Sequence, residues 1–273
     1  MRNKTPLISK LYIVFIMIFL YAPILTMVVF SFNASESSSV FSGFSLQWYQ
    51  SLLNDSSTMT ALKNTMILAS TSAICATILG TAAAVGINAY KKNWTKNMVM
   101  NVTNIPMMNP EIVTGISLML LFVFVGGMLG FVNTLGFWTM LIAHITFNLP
   151  YVILSVLPKL RQLNPALNEA ALDLGCTPVQ SFFKVVLPSI STGIITGFLM
   201  SFTLSVDDFV ISYFTQGASF ETLSIRIFSM TKKRVTPDMY AISTVIFVGV
   251  LLVLVGMNIY QARSEKKAKN KLD

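Results

Sequence analysis

Glu111, Asp207 and Asp208 stand inside long apolar stretches of this chain, and His144 stands inside another. Ionisable groups held in hydrocarbon are costly, and where they occur they usually line a path for a solute or an ion. No Lys or Arg lies well inside any of these stretches. An acid-only lining suits a cationic solute, because each carboxylate offsets part of the hydration that the cation gives up. Each group also has a plainer role. Asp207 and Asp208 are adjacent, so on a helix they point about 100° apart. One can face a pathway while the other caps a helix end or pairs with Lys232, Lys233 or Arg234. Glu111 follows Pro110 and can satisfy backbone donors freed at that break. A lone His144 reads first as a hydrogen-bonded packing residue. Trp48 can stack over an ammonium group or anchor at a membrane interface.

A second set of residues lies in the polar connection 158–184 and the start of the apolar run after it. Asn164 caps a short helix with Pro165 in its first position, and Gly175 ends that helix in a turn. Thr177 caps a second short helix with Pro178 in its first position, and this one leads through Leu187-Pro188 into the next apolar run. A capped helix-turn-helix joined to a span suits a docking knob that passes a push into the membrane. A solvated linker is the alternative that the same signals allow.

The elements that must position these residues follow from composition. Of 273 residues, 54% are apolar and 11% charged, against about 25% charged in a soluble domain. Such a chain cannot cover a water-facing surface, which excludes an ordinary soluble enzyme; disorder is excluded as well. The net charge of +8 would suggest nucleic acid in a soluble protein. Here the basic residues separate apolar runs, so the partner is membrane lipid and no nucleic acid is expected. Cys75 and Cys176 form neither a disulfide framework nor a metal-ligand set, and no metal is expected.

The expected fold is an all-α integral membrane protein, a single domain over 1–273, with six spans at about 11–32, 61–90, 98–126, 133–157, 185–215 and 239–260. The first run is too long for a signal-peptide core and lacks a clear cleavage site, so it reads as a retained span. Residues 45–53 form a short amphipathic helix capped by Ser45, with Trp48, Tyr49 and Leu52 on one side, suited to the outer interface. Ala76, Gly80 and Ala84 recur every four residues and allow a close helix approach. Six spans put both termini on one side. That side collects 14 Lys and Arg against 5 on the other, so both termini are expected in the cytoplasm.

Glu169-Ala170-Ala171, Gly175, Val185 and Leu187-Pro188, at this spacing and between the fourth and fifth spans, resemble the EAA signature of ABC-importer permease subunits. Val185 stands where the usual pattern has Ile. Gln47-Trp48-Tyr49, Asn109-Pro110-Glu111-Ile112-Val113, the run from His144 to Phe147 and the run from Ser201 to Asp208 resemble the spermidine/putrescine permease subunits of such importers, at similar spacing over most of the chain.

The resemblance implies a type I importer permease fold in a bacterial inner membrane. It implies that Glu169, Ala170, Ala171 and Gly175 form a coupling helix seated in a cleft of a cytoplasmic ATPase dimer. It brings Trp48, Glu111, Ser205, Asp207 and Asp208 together as a pathway set for polyamines. A second permease subunit in a heterodimer and an extracytoplasmic solute-binding protein complete the implied assembly. The chain has no Gly-x4-Gly-Lys-Ser/Thr loop. It is therefore expected to bind no cofactor and to be no enzyme, ATP and Mg being used by the partner ATPase.

Three other readings compete. A permease of this kind for another small solute keeps the coupling motif and changes the cargo. An ion-coupled secondary transporter would use the acids as coupling sites, but the chain shows no internal repeat. An intramembrane enzyme is disfavoured by a single His and by the lack of a metal-ligand cluster or a Ser/His/Asp set.

Overall fold

The computed structural model describes residues 7–36, 40–90, 92–218, 220–232 and 237–269. Arg2, Lys4, Lys91, Lys233, Arg234 and Lys271, which enter the charge count above, lie outside them. Among the described residues the architecture is helical, with one isolated bridge between Asn33 and Phe44. Five helices among the described residues are long and apolar enough to cross a membrane: Ser9–Phe30, Ser56–Ala89, Glu111–Met128, Phe137–Gln162 and Pro237–Gly256. A sixth span arises if Pro178–Ser189 and Ser191–Asp207, bent by 68°, are taken as one.

The chain forms two compact units, the first from residues up to Met59 together with Arg226–Val253, the second from Thr60–Ile225 together with the residues from Leu254 on. In the first, α1 (Leu7–Phe30) carries no charge after Lys10 and is largely exposed, as a lipid-facing helix must be. The loop after it is pinned by Asn33, whose amide donates to the Val40 carbonyl and whose side-chain oxygen accepts from the Ser42 amide. Helix α2 spans Gln47–Asn54. It starts later than the expected cap at Ser45, because Leu46 is the boundary residue and the Ser45 hydroxyl accepts only the Gln47 amide, at 3.2 Å. Trp48 Nε1 donates to the Asn33 carbonyl at 2.6 Å, and the Tyr49 hydroxyl lies 2.7 Å from that of Ser31. Phe32 packs between the rings of Phe44 and Tyr49. Lys232 rests over Phe228, its Nζ 4.7 Å from the ring centre.

Asp55 opens α3 (Ser56–Ala89): it accepts from the Ser57 amide and the Thr58 hydroxyl, and Arg226 approaches to 3.4 Å. The Thr58 hydroxyl, with the Ser57 amide and the Arg226 charge, holds the Asp55 carboxyl below its ordinary value against the pull of partial burial.

The second unit is organised around α6 (Phe137–Gln162), the most enclosed of the candidate spans. Its Val152 is fully buried between two helices. A Cβ on Gly80 of α3 would stand 2.7 Å from the Val152 Cβ, and one on Gly197 of α10 (Ser191–Asp207) would stand 3.2 Å from the Val152 Cα. One turn earlier on α10, a Cβ on Gly193 would come within 2.8 Å of the Ser155 carbonyl oxygen. These approaches bring Ala76, Ala84 and Ile87 of α3, Val156 and Leu160 of α6, and Ile190 into one core. The Ala76/Gly80/Ala84 spacing does permit a close approach. The equivalent pattern on α10, Gly193-x3-Gly197-x3-Ser201-x3-Ser205, packs against the same helix.

Two of the expected spans are broken, the first at the Pro110 interruption that the sequence signals and the second within a stretch expected to be continuous. Residues 98–126 fall into α4 (Asn93–Met108) and α5 (Glu111–Met128). Pro110 has no N–H and drives the residue before it out of the helical region; Asn109 is extended, with φ −76° and ψ 142°. Pro106 stays within α4. Residues 185–215 are a π-helical turn, Phe182–Val186, then α9 (Leu187–Ser189), α10 and α11 (Val210–Thr215). The Leu187 amide reaches back five residues to the Phe182 carbonyl. That wider turn relieves the clash that Pro188 would otherwise make with the carbonyl four residues before it.

Two outcomes follow. Gly193→Val drives a branched side chain into a backbone carbonyl and should lower the melting temperature of the detergent-purified protein, at a cost of about 1–3 kcal/mol or more; Gly86→Ala, which meets no atom within 4 Å, should not. The lowered Asp55 carboxyl contributes stability above its unfolded value of about 3.9, and that contribution fades as pH falls through the folded, lower value. The melting-temperature gap between wild type and Asp55→Asn should therefore be widest near neutrality and narrow as pH falls below about 3.9.

Candidate coupling segment and solute pathway

The connection after α6 folds as a helix-turn-helix. Asn164 accepts the Ala166 amide and opens α7 (Pro165–Asp173), with Pro165 in the first position. Gly175 ends it with φ +86°, a conformation that costs a side-chain-bearing residue more than glycine. The Gly175 amide donates to the Leu172 carbonyl and the Cys176 amide to that of Ala171, the paired bonds of a Schellman end. Thr177 and Gln180 satisfy each other's amides at the start of α8 (Pro178–Ser181), again with Pro in the first position. A hydrogen bond of 2.6 Å from the buried Ser181 hydroxyl to Asn168 fastens α7 to α8. On α7, Glu169 and Ala170 face outward and Ala171 faces inward, so the segment offers an exposed carboxylate on a helix anchored from behind. A cavity of about 600 Å³ lies beside it, bordered by Arg161, Asn168 and Glu169 above an apolar floor of Val85, Leu160 and Phe182.

The far end of α10 holds the adjacent acids, and they part company. Asp207 ends the helix and is exposed. Asp208 is extended and nearly enclosed, its side chain 4% accessible. Its carboxylate accepts the Ile211 and Ser212 amides, capping α11, and lies 3.4 Å from His144 Nε2. His144, 2% accessible, is also 3.0 Å from the Ser212 hydroxyl. The Ser224 hydroxyl donates to the Asp208 carbonyl. Of the roles open to the two acids, helix capping falls to Asp208, and His144 is the hydrogen-bonded packing residue that the sequence suggested. One helical turn earlier, the enclosed Ser205 hydroxyl joins Ser72 at 2.9 Å and the Asn148 amide at 2.7 Å, tying α10 to α3 and α6. Asn148 was not singled out in the sequence; its place one turn from His144 was the available signal.

Glu111 is the first residue of α5 and is exposed; no side chain caps that helix end, so its carboxylate acts on the helix dipole rather than as a cap. Gly115, one turn on, packs against Phe214 and the Val210 carbonyl of α11. In this unit Glu111 starts α5, Ser205 and Asp207 lie on α10 and Asp208 joins α10 to α11; α5 packs on α11, and α5, α10 and α11 all pack on α6. Trp48 belongs to the first unit, half-buried and bonded to Asn33. Among the described residues no cluster of His, Cys, Asp and Glu could hold a metal ion.

Residues 76–270 match the model of the binding-protein-dependent transport system inner membrane component. The chain belongs to that family. The permease is 39% identical over 249 residues to the putrescine transport system permease protein PotI of Escherichia coli K12, covering 91% of this chain and 89% of that one. It is 38% identical over 237 residues to the spermidine/putrescine transport system permease protein PotC of Haemophilus influenzae, covering 87% and 90% of the two chains. Among solved structures, a bacterial ABC transporter involved in import of the acidic polysaccharide alginate aligns with a TM-score of 0.69 at 18% identity, covering 92% of each chain. An amino acid ABC transporter aligns with a TM-score of 0.57 at 17% identity, covering 79% of this chain. The fold is that of ABC type I importer permeases, and the protein is a membrane permease subunit, not an enzyme.

Asp208→Ala should leave the Ile211 and Ser212 amides without their acceptor and His144 with Ser212 alone, and destabilise the purified permease by about 1–3 kcal/mol. Asp207→Ala should leave the melting temperature where it is, since its exposed side chain supports no packing.

Proposed function

We propose that this permease carries polyamines into the cytoplasm as one half of an ATP-driven importer. The single observation that carries the reading of the cargo is its 36–39% identity, over about nine-tenths of the chain, to putrescine and spermidine/putrescine permeases. The chemistry agrees: a flexible cation with several ammonium groups suits apolar stretches that hold Glu111, Asp207 and Asp208 and no Lys or Arg well inside them. In this reading the whole chain, 1–273, works as one permease domain with both termini in the cytoplasm of a bacterial cell and the protein in its inner membrane.

A second permease subunit supplies the other wall of the pathway, and an outer solute-binding protein delivers the polyamine. A cytoplasmic ATPase pair, using ATP and Mg, grips α7 through Glu169, Ala170 and Ala171, with Gly175 setting the turn. Motion of α7 passes through its Asn168–Ser181 link to α8, round the π-helical turn and along α10 to the acids at its end. Trp48, Glu111 and Asp207 meet the solute. Ser205 and Asp208 shape the path by holding α10 and α11 against their neighbours.

The test is uptake of labelled putrescine and spermidine into cells lacking this gene, with and without its restoration. Uptake should fall on deletion and return on restoration; no change for either solute sinks the polyamine reading. Glu169→Arg should abolish ATP-driven uptake while leaving the protein in the membrane, and normal transport by that variant would remove α7 from the ATPase interface. Asp207→Asn should raise the concentration of polyamine needed for half-maximal uptake, with assembly unchanged.

A further inference from the structure

Ser201 of α10 and Asn148 of α6 are both wholly buried in the seam between those helices. Each keeps one polar atom without a hydrogen bond among the described residues, the Ser201 hydroxyl and Asn148 Oδ1. The two residues stand level. A Cβ on Gly193 would lie 3.3 Å from the Val156 Cα, and one on Gly197 3.2 Å from the Val152 Cα. The helices therefore run in opposite directions, and one turn further along α10 Ser201 comes level with Asn148. Serine and threonine inside a helix can turn the hydroxyl back to the carbonyl four residues before. Thr196 and Thr203 of α10 do so, as do Thr146 and Ser155 of α6. Ser201 does not, which leaves its proton to be given within the seam.

The other end of the Asn148 amide is committed. Its N–H donates to Ser205 at 2.7 Å. The Ser72 hydroxyl donates to the Ala69 carbonyl at 3.2 Å, so the 2.9 Å contact of Ser72 with Ser205 uses the Ser205 proton. Donation thus runs one way, from Asn148 through Ser205 and Ser72 to the backbone of α3, and Oδ1 is the end left over. A donor and an acceptor shut away from water, level with each other and unbonded, are a standing cost. A seam with one arrangement to hold would gain by alanine at position 201. The pair is half of a contact that a second arrangement completes, and shifts of about 1–2 Å between packed helices are a known means of switching.

We propose that Asn148 is a positioning residue that latches α10 in two places. In the arrangement described, its N–H holds Ser205. In the second, α10 moves by less than a helical turn, Oδ1 takes the Ser201 proton, and the bond to Ser205 is given up. The exchange releases from α6 the end of α10 that carries Asp207, while the glycine contacts keep the two helices together. The inference rests on the reading of the protein as half of an ATP-driven importer, because a latch needs a permease that alternates between two states. It does not depend on the cargo.

The experiment uses the complete importer with Ser201→Ala, Ser205→Ala and the double variant. Uptake of labelled putrescine and spermidine, ATP hydrolysis by the reconstituted complex and the melting temperature are measured together. Losing one buried hydrogen bond tilts a two-state balance by about fivefold. Each single variant should slow uptake and hydrolysis by about that factor, with the partner subunits co-purifying as in wild type. Ser201→Ala should do so without lowering the melting temperature, since its hydroxyl makes no bond in the arrangement described. The double variant weakens both positions alike and should cycle faster than either single one. Unchanged uptake and hydrolysis in Ser201→Ala, or a double variant as slow as the slower single one, overturns the latch. Should Ser205→Ala fail to assemble, Ser201→Ala decides alone. A wild type that hydrolyses ATP but takes up neither polyamine overturns the cargo reading, and the hydrolysis rates then decide the latch. A wild-type complex that hydrolyses no ATP overturns the importer reading and the latch with it.

Discussion

Val152 has no room to spare. Gly80 presses on it from α3 and Gly197 from α10, and at both positions a methyl group would already crowd it. In lipid, helices gain little by hiding apolar surface from one another, so their association depends on how closely their backbones can approach. The glycine contacts supply that approach at one end of α6. Everything that the acids and the helix-turn-helix do depends on the resulting register: it sets which residue of α10 meets which residue of α6, and hence that Asn148 reaches Ser205 and His144 reaches Asp208.

Along α6 the contact changes character. Toward α7 it is a dry meeting of glycine with backbone. Toward α11 it is a run of hydrogen bonds through Asn148, His144, Ser205 and Ser212. Dispersion falls off smoothly when helices slide, whereas a buried hydrogen bond is made or lost. The polar end therefore fixes the pairing of α6 with α10 and α11, and the glycine end tolerates small adjustments. The exposed Glu169 and the exposed Asp207 lie beyond opposite ends of this seam, and the stiff part is the one next to the acids.

Much of this was legible in the sequence because caps and turns are local. Asn164-Pro165, Gly175 and Thr177-Pro178 each specify a backbone conformation within a few residues, and all three do in the structure what their types demand. The breaks in the apolar runs were harder. Hydropathy is blind to Asn109-Pro110 and to Asp208-Phe209, since both lie in stretches apolar enough to span. Pro110 carried a signal for the first. At the second, Asp208 caps α11 through the amides three and four residues on and meets His144, more than sixty positions away; the cap is a local signal that either acid could have carried. The division of labour between Asp207 and Asp208 was invisible for the same reason: helical geometry says that they diverge, and only the partner on α6 says which one turns inward.

The enclosure of Asp208 also bears on how the chain enters its membrane. A carboxylate at the centre of an isolated helix in lipid costs about 2.5–3.5 kcal/mol. In the folded permease an imidazole, a hydroxyl and two amides offset that cost, and the imidazole comes from the preceding span. The stretch around Asp208 is therefore a poor candidate for insertion by itself and a good one beside α6. Synthesis delivers α6 first, so the helix that completes the acid's shell is already in the bilayer when the acid arrives.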